Sequence, residues 1–121
     1  MIEGPALVLR EALSLWGGID VATGRIIDRA HPDAGTSITG TILFMPGGRG
    51  SSSSSSILAE SLRRGTGPLA IVLTSLDPIL IVGALVAESL YGRHCPIVVG
   101  SADRVRTGDR VRVVDGAVET I

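Results

Sequence analysis

A compact α/β domain, or a β-barrel-like one with helices packed against it, is the fold class this sequence predicts, and three observations predict it. Short, continuous apolar runs recur along the chain, the clearest being Ile42-Leu43-Phe44-Met45 and Ala70-Ile71-Val72-Leu73. Helical patterns follow both runs, and each closes at a glycine, Gly65 or Gly92. The C-terminal end alternates apolar and polar residues around Asp115-Gly116. A strand, helix, strand order in the middle of a chain calls for a parallel sheet with helices on it, and a closing hairpin adds antiparallel strands to the same sheet.

The 121 residues are expected to form one domain, 1–121, with a single core. Aromatic residues are scarce, only Trp16, Phe44 and Tyr91, so that core must be built from Leu, Ile, Val and Ala. Eleven basic and 12 acidic residues, spread along the chain, give a formal charge of -1. A nucleic-acid partner is disfavoured, because the basic footprint and the stacking aromatics are both missing. Cys95 is the only cysteine, which excludes an intrachain disulfide and a metal or iron–sulfur site made of several local thiolates. The first residues show no basic region leading into an apolar one, so no secretory signal is expected, and a reducing, cytoplasmic setting fits. The most apolar run, 78–87, is about half of the roughly 20 residues a bilayer requires and reads as a core element.

Each element has its own signal. Ala6-Leu7-Val8-Leu9 reads as a short buried strand. Ser14-Leu15-Trp16-Gly17-Gly18-Ile19-Asp20 reads as an irregular loop that returns into another short strand at Thr23-Gly24-Arg25-Ile26-Ile27-Asp28. His31-Pro32-Asp33-Ala34-Gly35 is turn chemistry, with His31 expected at the surface. Thr41-Ile42-Leu43-Phe44-Met45 is a strand. Ile57, Leu58 and Leu62 then share one side of a helix while Glu60, Arg63 and Arg64 lie elsewhere, which predicts a helix over 52–64 with Gly65 as its C-cap. Leu69-Ala70-Ile71-Val72-Leu73 reads as a parallel strand buried on both faces. Asp77-Pro78 supplies an N-cap and a proline at the first helical position, opening a buried helix that ends at Tyr91-Gly92. Pro96-Ile97-Val98-Val99 is a further strand, and Asp115-Gly116 joins Val111-Arg112-Val113 to Ala117-Val118-Glu119 as a hairpin.

Pro46-Gly47-Gly48-Arg49-Gly50, followed by six serines at 51–56, stands between a strand and a helix and is laid out to build a site. Glycines let backbone N–H groups approach a ligand, serines supply hydroxyls, and a helix N-terminus carries partial positive charge, so an anion or an oxygen becoming anionic suits the place. A phosphate-binding Walker loop is excluded, because no lysine follows Gly50, and so is the dinucleotide fingerprint, because Ser53 stands where its third glycine belongs. A generic anion cradle and a ligand-free serine-rich surface loop both fit what is left. Arg49 fits either a bidentate clamp on a substrate carboxylate or an exposed ion pair. Outside this stretch Asp20 is read as capping its own turn, Asp77 as a helix cap, and Cys95 as a small buried residue. No Ser/His/Asp set and no ligand cluster completes a catalytic centre, so if the chain belongs to an enzyme it supplies part of one.

As a set, Leu15-Trp16-Gly17-Gly18-Ile19-Asp20, Thr23-Gly24-Arg25-Ile26-Ile27-Asp28, His31-Pro32, the 46–52 stretch, and Asp77-Pro78-Ile79 with Gly83-Ala84 resemble the swivel domain, or small subunit, of the aconitase X family. That resemblance implies a swivelling β/β/α barrel-like single domain. It also implies a hydro-lyase whose large catalytic subunit carries an iron or iron–sulfur centre, with no cofactor bound by this chain alone. The swivel loop of the wider aconitase superfamily reads Gly-Ser-Ser-Arg-Glu, and Gly50-Ser51-Ser52 is similar to its start. By that likeness Ser51 takes the proton-acceptor role, and Arg49, Gly50 and Ser52 are the substrate-binding candidates. Ser53 and Ser54 stand in the Arg and Glu positions, so the family's substrate arginine is missing there, and whether Arg49 replaces it stays open. The Trp16 and serine-rich versions look like the bacterial branch, which points to cis-3-hydroxy-L-proline as substrate; phosphomevalonate is the alternative. A reading from another class is a non-catalytic module that binds a small anionic metabolite. The expected partners are a large aconitase X subunit and a small hydroxy acid, with neither nucleic acid nor membrane.

Overall fold

The structure is a computed structural model and describes residues 1–47 and 52–121. Its elements run β1 (Ile2–Val8), β2 (Ile42–Met45), α1 (Ser54–Arg64), β3 (Ala70–Leu73), α2 (Pro78–Tyr91), β4 (Ile97–Val99), β5 (Arg110–Val114) and β6 (Ala117–Thr120). The strands form one six-stranded sheet in the order β4-β3-β2-β1-β5-β6. β1 to β4 are mutually parallel, and β5 and β6 are antiparallel additions beyond β1. The curled sheet with its two helices is the mixed α/β half-barrel that the sequence predicts.

Both faces of the parallel part are buried, as its unbroken apolar runs require. Leu7, Leu43, Met45, Ile71 and Leu73 face the helices, where they meet Leu58 and Leu62 of α1 and Leu80, Ala84 and Ala87 of α2. Leu13, Leu15, Ile19, Ile26 and Ile38, from the long connection between β1 and β2, complete this layer. Alternate residues, Ala6, Ile42, Phe44, Ala70 and Val72, turn to the other face and pack with Val111 and Val113 of β5. Period-2 alternation thus feeds two cores from the same strands.

β1 begins four residues before the apolar run that announces it. Ile2–Pro5 pairs with β5, and Ala6–Val8 pairs with β2, so the strand changes neighbours at Pro5. Proline has no N–H to offer a ladder and is tolerated at such a junction. Glu3, Arg112 and Glu119 lie opposite one another across β1, β5 and β6, and Arg112 bonds both carboxylates at 3.0–3.3 Å. Asp115 and Gly116 take the positive φ values of 50° and 77° that a two-residue hairpin turn demands.

Two local readings are corrected. Residues 23–28 are not a strand; Ile19↔Ile26 and Arg25↔Ser37 form only isolated bridges. This segment is instead held by backbone bonds such as Ile27 N–H to Gly18 C=O at 2.8 Å. The turn that brings Gly18 there leaves no room for a side chain, since a Cβ on it would meet the Ser14 carbonyl oxygen at 1.9 Å. His31 is buried instead of exposed. Its Nδ1 accepts from the Asp33 N–H at 3.0 Å and its Nε2 lies 3.1 Å from the Glu11 carbonyl, which ties the 31–35 turn to the end of β1.

Candidate functional site

The site stretch leaves β2 at the carboxyl end of the parallel strands, where open α/β sheets place their ligands. Pro46 and Gly47 carry the chain off β2, and the described structure resumes at Ser52 and Ser53, immediately ahead of α1. The Thr74 hydroxyl, just after β3, donates to the Pro46 carbonyl and fixes the departure of the loop. Among the described residues, a side chain on Gly47 would find only Ser75 Oγ nearby, 3.8 Å from its Cβ.

The arrival of the loop is fixed from three sides. Ser55 donates its hydroxyl to the Ser52 carbonyl at 2.9 Å, and Ser54, which is buried, accepts the Trp16 N–H at 3.3 Å. The third support is α2: a Cβ on Gly83 would lie 2.6 Å from the Ser55 carbonyl oxygen and 3.2 Å from Leu58 Cβ, so only glycine lets the two helices approach this closely. α2 itself starts as its sequence dictates, Asp77 Oδ1 accepting the Ile79 N–H at 3.0 Å with Pro78 at the first helical position.

Of the sequence-predicted site residues, Ser52 is exposed at the head of α1. Arg49, Gly50 and Ser51 lie outside the described residues. Two grooves flank the stretch. An apolar cleft of about 90 Å3, lined by Leu9, Met45, Pro46, Thr74 and Gly100 among others, crosses the carboxyl ends of the strands. A shallower groove of about 240 Å3 lies on the other flank between Ser52, Ser55, Pro78, Ile79 and Val82. Sequence reasoning misses Thr74, Trp16 and Gly83 as supports of the site. Two of them do leave a signal, a hydroxyl directly after a buried strand and a glycine inside an apolar helix, but their partners are remote in the chain.

The other candidates resolve into structural roles. Asp20 accepts from the Ala22 N–H and the Thr23 hydroxyl within its own turn. Cys95 is buried beneath α2, and loss of solvation pushes its thiol up to about 12, the opposite of what a metal ligand or nucleophile needs. Among the described residues no group of three or more His, Cys, Asp or Glu side chains could hold a metal ion. A metal centre therefore does not fit the described part of this chain. Among the same residues no helix is long and apolar enough to cross a membrane.

Fold and site together define an α/β half-barrel in which Pro46-Gly47 leave the carboxyl edge of the parallel strands and Ser52-Ser53 lead into a helix N-terminus. The chain belongs to the aconitase X swivel domain family, whose model matches residues 1–121. It is 42% identical over 119 residues to the cis-3-hydroxy-L-proline dehydratase of Pseudomonas aeruginosa, covering 97% of this chain and 20% of that protein. It is 38% identical over 116 residues to the phosphomevalonate dehydratase small subunit of Methanopyrus kandleri, covering 95% of this chain and 84% of that one. The crystal structure of Thermococcus kodakaraensis aconitase X in its holo-form superposes with a TM-score of 0.88 at 32% identity, over 99% of this chain and 89% of that chain. The chain spans about a fifth of the length of the hydroxyproline dehydratases it matches.

Proposed function

We propose that this chain is the small, swivel subunit of an aconitase X-type dehydratase, and that it contributes the proton acceptor for elimination of water from a hydroxy acid. The observation that supports this reading is that Pro46 and Gly47 leave the carboxyl end of a buried parallel strand and Ser52 and Ser53 lead into a helix N-terminus, in a chain matched along its whole length by the swivel-domain family.

Elimination needs a base for the C–H proton and a Lewis acid for the departing hydroxyl. Ser51 is the base in this reading. Its alkoxide is stabilised by the partial positive charge at the α1 N-terminus and by Arg49, and it takes the substrate proton as the C–O bond breaks. Arg49, Gly50 and Ser52 bind the substrate, with Arg49 on a carboxylate in the role of the arginine missing from the serine tract. The Lewis acid is the iron or iron–sulfur centre that the family resemblance assigns to the large subunit. Seating of this chain on that subunit excludes water from the reacting carbon.

The substrate in this reading is cis-3-hydroxy-L-proline, which the 42% identity to a protein of that activity supports. A second reading, phosphomevalonate, is favoured by a different observation: the chain covers 84% of a small subunit of that name, against 20% of the hydroxyproline enzyme. Assaying the reconstituted pair with each compound separates them. On the preferred substrate Ser51→Ala is expected to lower kcat by about 10²- to 10⁴-fold, the usual contribution of a positioned base. Turnover within twofold of wild type would remove Ser51 from the mechanism.

A further inference from the structure

α2 is apolar on both sides. Leu80, Gly83, Ala84 and Ala87 are buried against α1 and the sheet, whereas Val82, Leu85, Val86 and Leu90 are 50%, 59%, 37% and 67% exposed. At about 100° per residue these four outward residues share one arc of roughly 140°, which the exposed Ser89 interrupts in the last turn. No charged residue occurs from Pro78 to Ala87. A helix apolar all round is normally covered all round, so this one has an unfinished face.

The outward stripe is continuous with the candidate site, because the groove between Ser52, Ser55, Pro78, Ile79 and Val82 joins the serine turn to the first turn of the stripe. Leu76, directly ahead of the Asp77 cap, is also 64% exposed. Val82, Leu85, Val86 and Leu90 thus leave an exposed apolar stripe, the kind of surface that often marks an interaction site. The outer surface of α1 is different: Glu60 there is engaged by Arg63 and Arg64, a polar surface suited to water.

We propose that the outward face of α2, with Leu76 and the groove beside Ser52, is the surface on which the large aconitase X chain seats, so that docking and closure over the serine turn are one event. This rests on the small-subunit reading above. The occupant follows from proportion as well as chemistry. In the hydroxyproline dehydratases the region like this chain is 20% of the protein, so the remainder is large enough to cover a face of this size beside the site.

The test uses this chain and a large aconitase X chain from the same source, each purified whole, with affinity read by calorimetry and oligomeric state by sedimentation velocity. The wild-type chain is expected to form a one-to-one complex. Leu85→Glu weakens it by at least about tenfold, Leu85→Ala weakens it less, and Arg64→Ala on α1 leaves it unchanged, all with unaltered circular dichroism. The milder Leu85→Ala keeps the test valid should Leu85→Glu misfold. Unchanged affinity of both Leu85 variants overturns the proposal, as does a wild-type homodimer that Leu85→Glu dissociates while large-chain binding persists. A wild-type chain that does not bind the large chain at all overturns the small-subunit reading itself, an outcome distinct from the other two.

Discussion

The two helices lie side by side on one face of the sheet and leave opposite surfaces to the outside. α1 buries Leu58, Ala59 and Leu62 and turns Glu60, Arg63 and Arg64 to solvent, with Arg63 Nε 2.6 Å and Arg64 Nε 3.0 Å from the Glu60 carboxylate. α2 buries a small-residue face, Gly83, Ala84 and Ala87 with Leu80, and turns Val82, Leu85 and Leu90 outward. The same layer therefore contains one helix that water can finish and one that it cannot. α1 carries the serine turn at its head; α2, packed against that head through Gly83, carries the surface a partner would need. In the proposed reading, chemistry and association are divided between neighbours in direct contact.

The largest expected effect comes from breaking the contact between them. Gly83→Val puts branched carbons where even a Cβ would lie 2.6 Å from the Ser55 carbonyl oxygen, and it forces the helices apart at the serine turn. Overpacking of this kind costs typically ~1–3 kcal/mol. Urea unfolding of the isolated chain should show a loss within that range, and dehydration by the reconstituted pair should fall further than stability alone explains. An unchanged unfolding midpoint would mean that the close approach of the helices does not hold the serine turn.

A much smaller effect sharpens the other side of the comparison. Hydrogen bonds from Arg63 and then Arg64 hold the Glu60 carboxyl at about 2, below its ordinary 4.5. A carboxylate depressed in this way contributes stability that is present above the unfolded value and is lost as pH falls through the folded one. Glu60→Gln should therefore flatten the pH dependence of unfolding between about pH 4.5 and 2. Stability near pH 7 should fall by the same amount that the pH dependence loses, a small one because exposed ion pairs contribute little, and affinity for the large chain should not change. Lost association in this variant would move the docking surface to α1.

Much of this division is written locally. The spacing of Ile57, Leu58 and Leu62 predicts both α1 and the face it buries, and Asp77-Pro78 predicts where α2 begins. The orientation of α2 is not local information: a run apolar on every side has no period from which to read its inner face, and only packing against Ser55 and Leu58 decides it. The connection between β1 and β2 eludes the sequence for a related reason. Its apolar residues, Leu13, Leu15, Ile19, Ile26 and Ile38, are too irregularly spaced for strand or helix, yet all are buried against the helical layer. β1 is legible only from Ala6, because Ile2–Pro5 is a strand through pairing with β5, more than a hundred residues away, against the local preference of Gly4 and Pro5. Of the candidate site, the frame around Ser52 is described and agrees with a strand, loop, helix-start layout. Arg49, Gly50 and Ser51 remain proposals made from the sequence and its family likeness.

The central claim is that this chain holds one half of a site whose other half is on a larger chain. Its most direct test is a titration of the large aconitase X chain with this one, reading dehydration of cis-3-hydroxy-L-proline and of phosphomevalonate. Neither chain alone is expected to turn over substrate, and activity on one of the two compounds should rise to a plateau at one equivalent. Full activity of the large chain by itself would contradict the claim, as would a saturated complex that dehydrates neither compound.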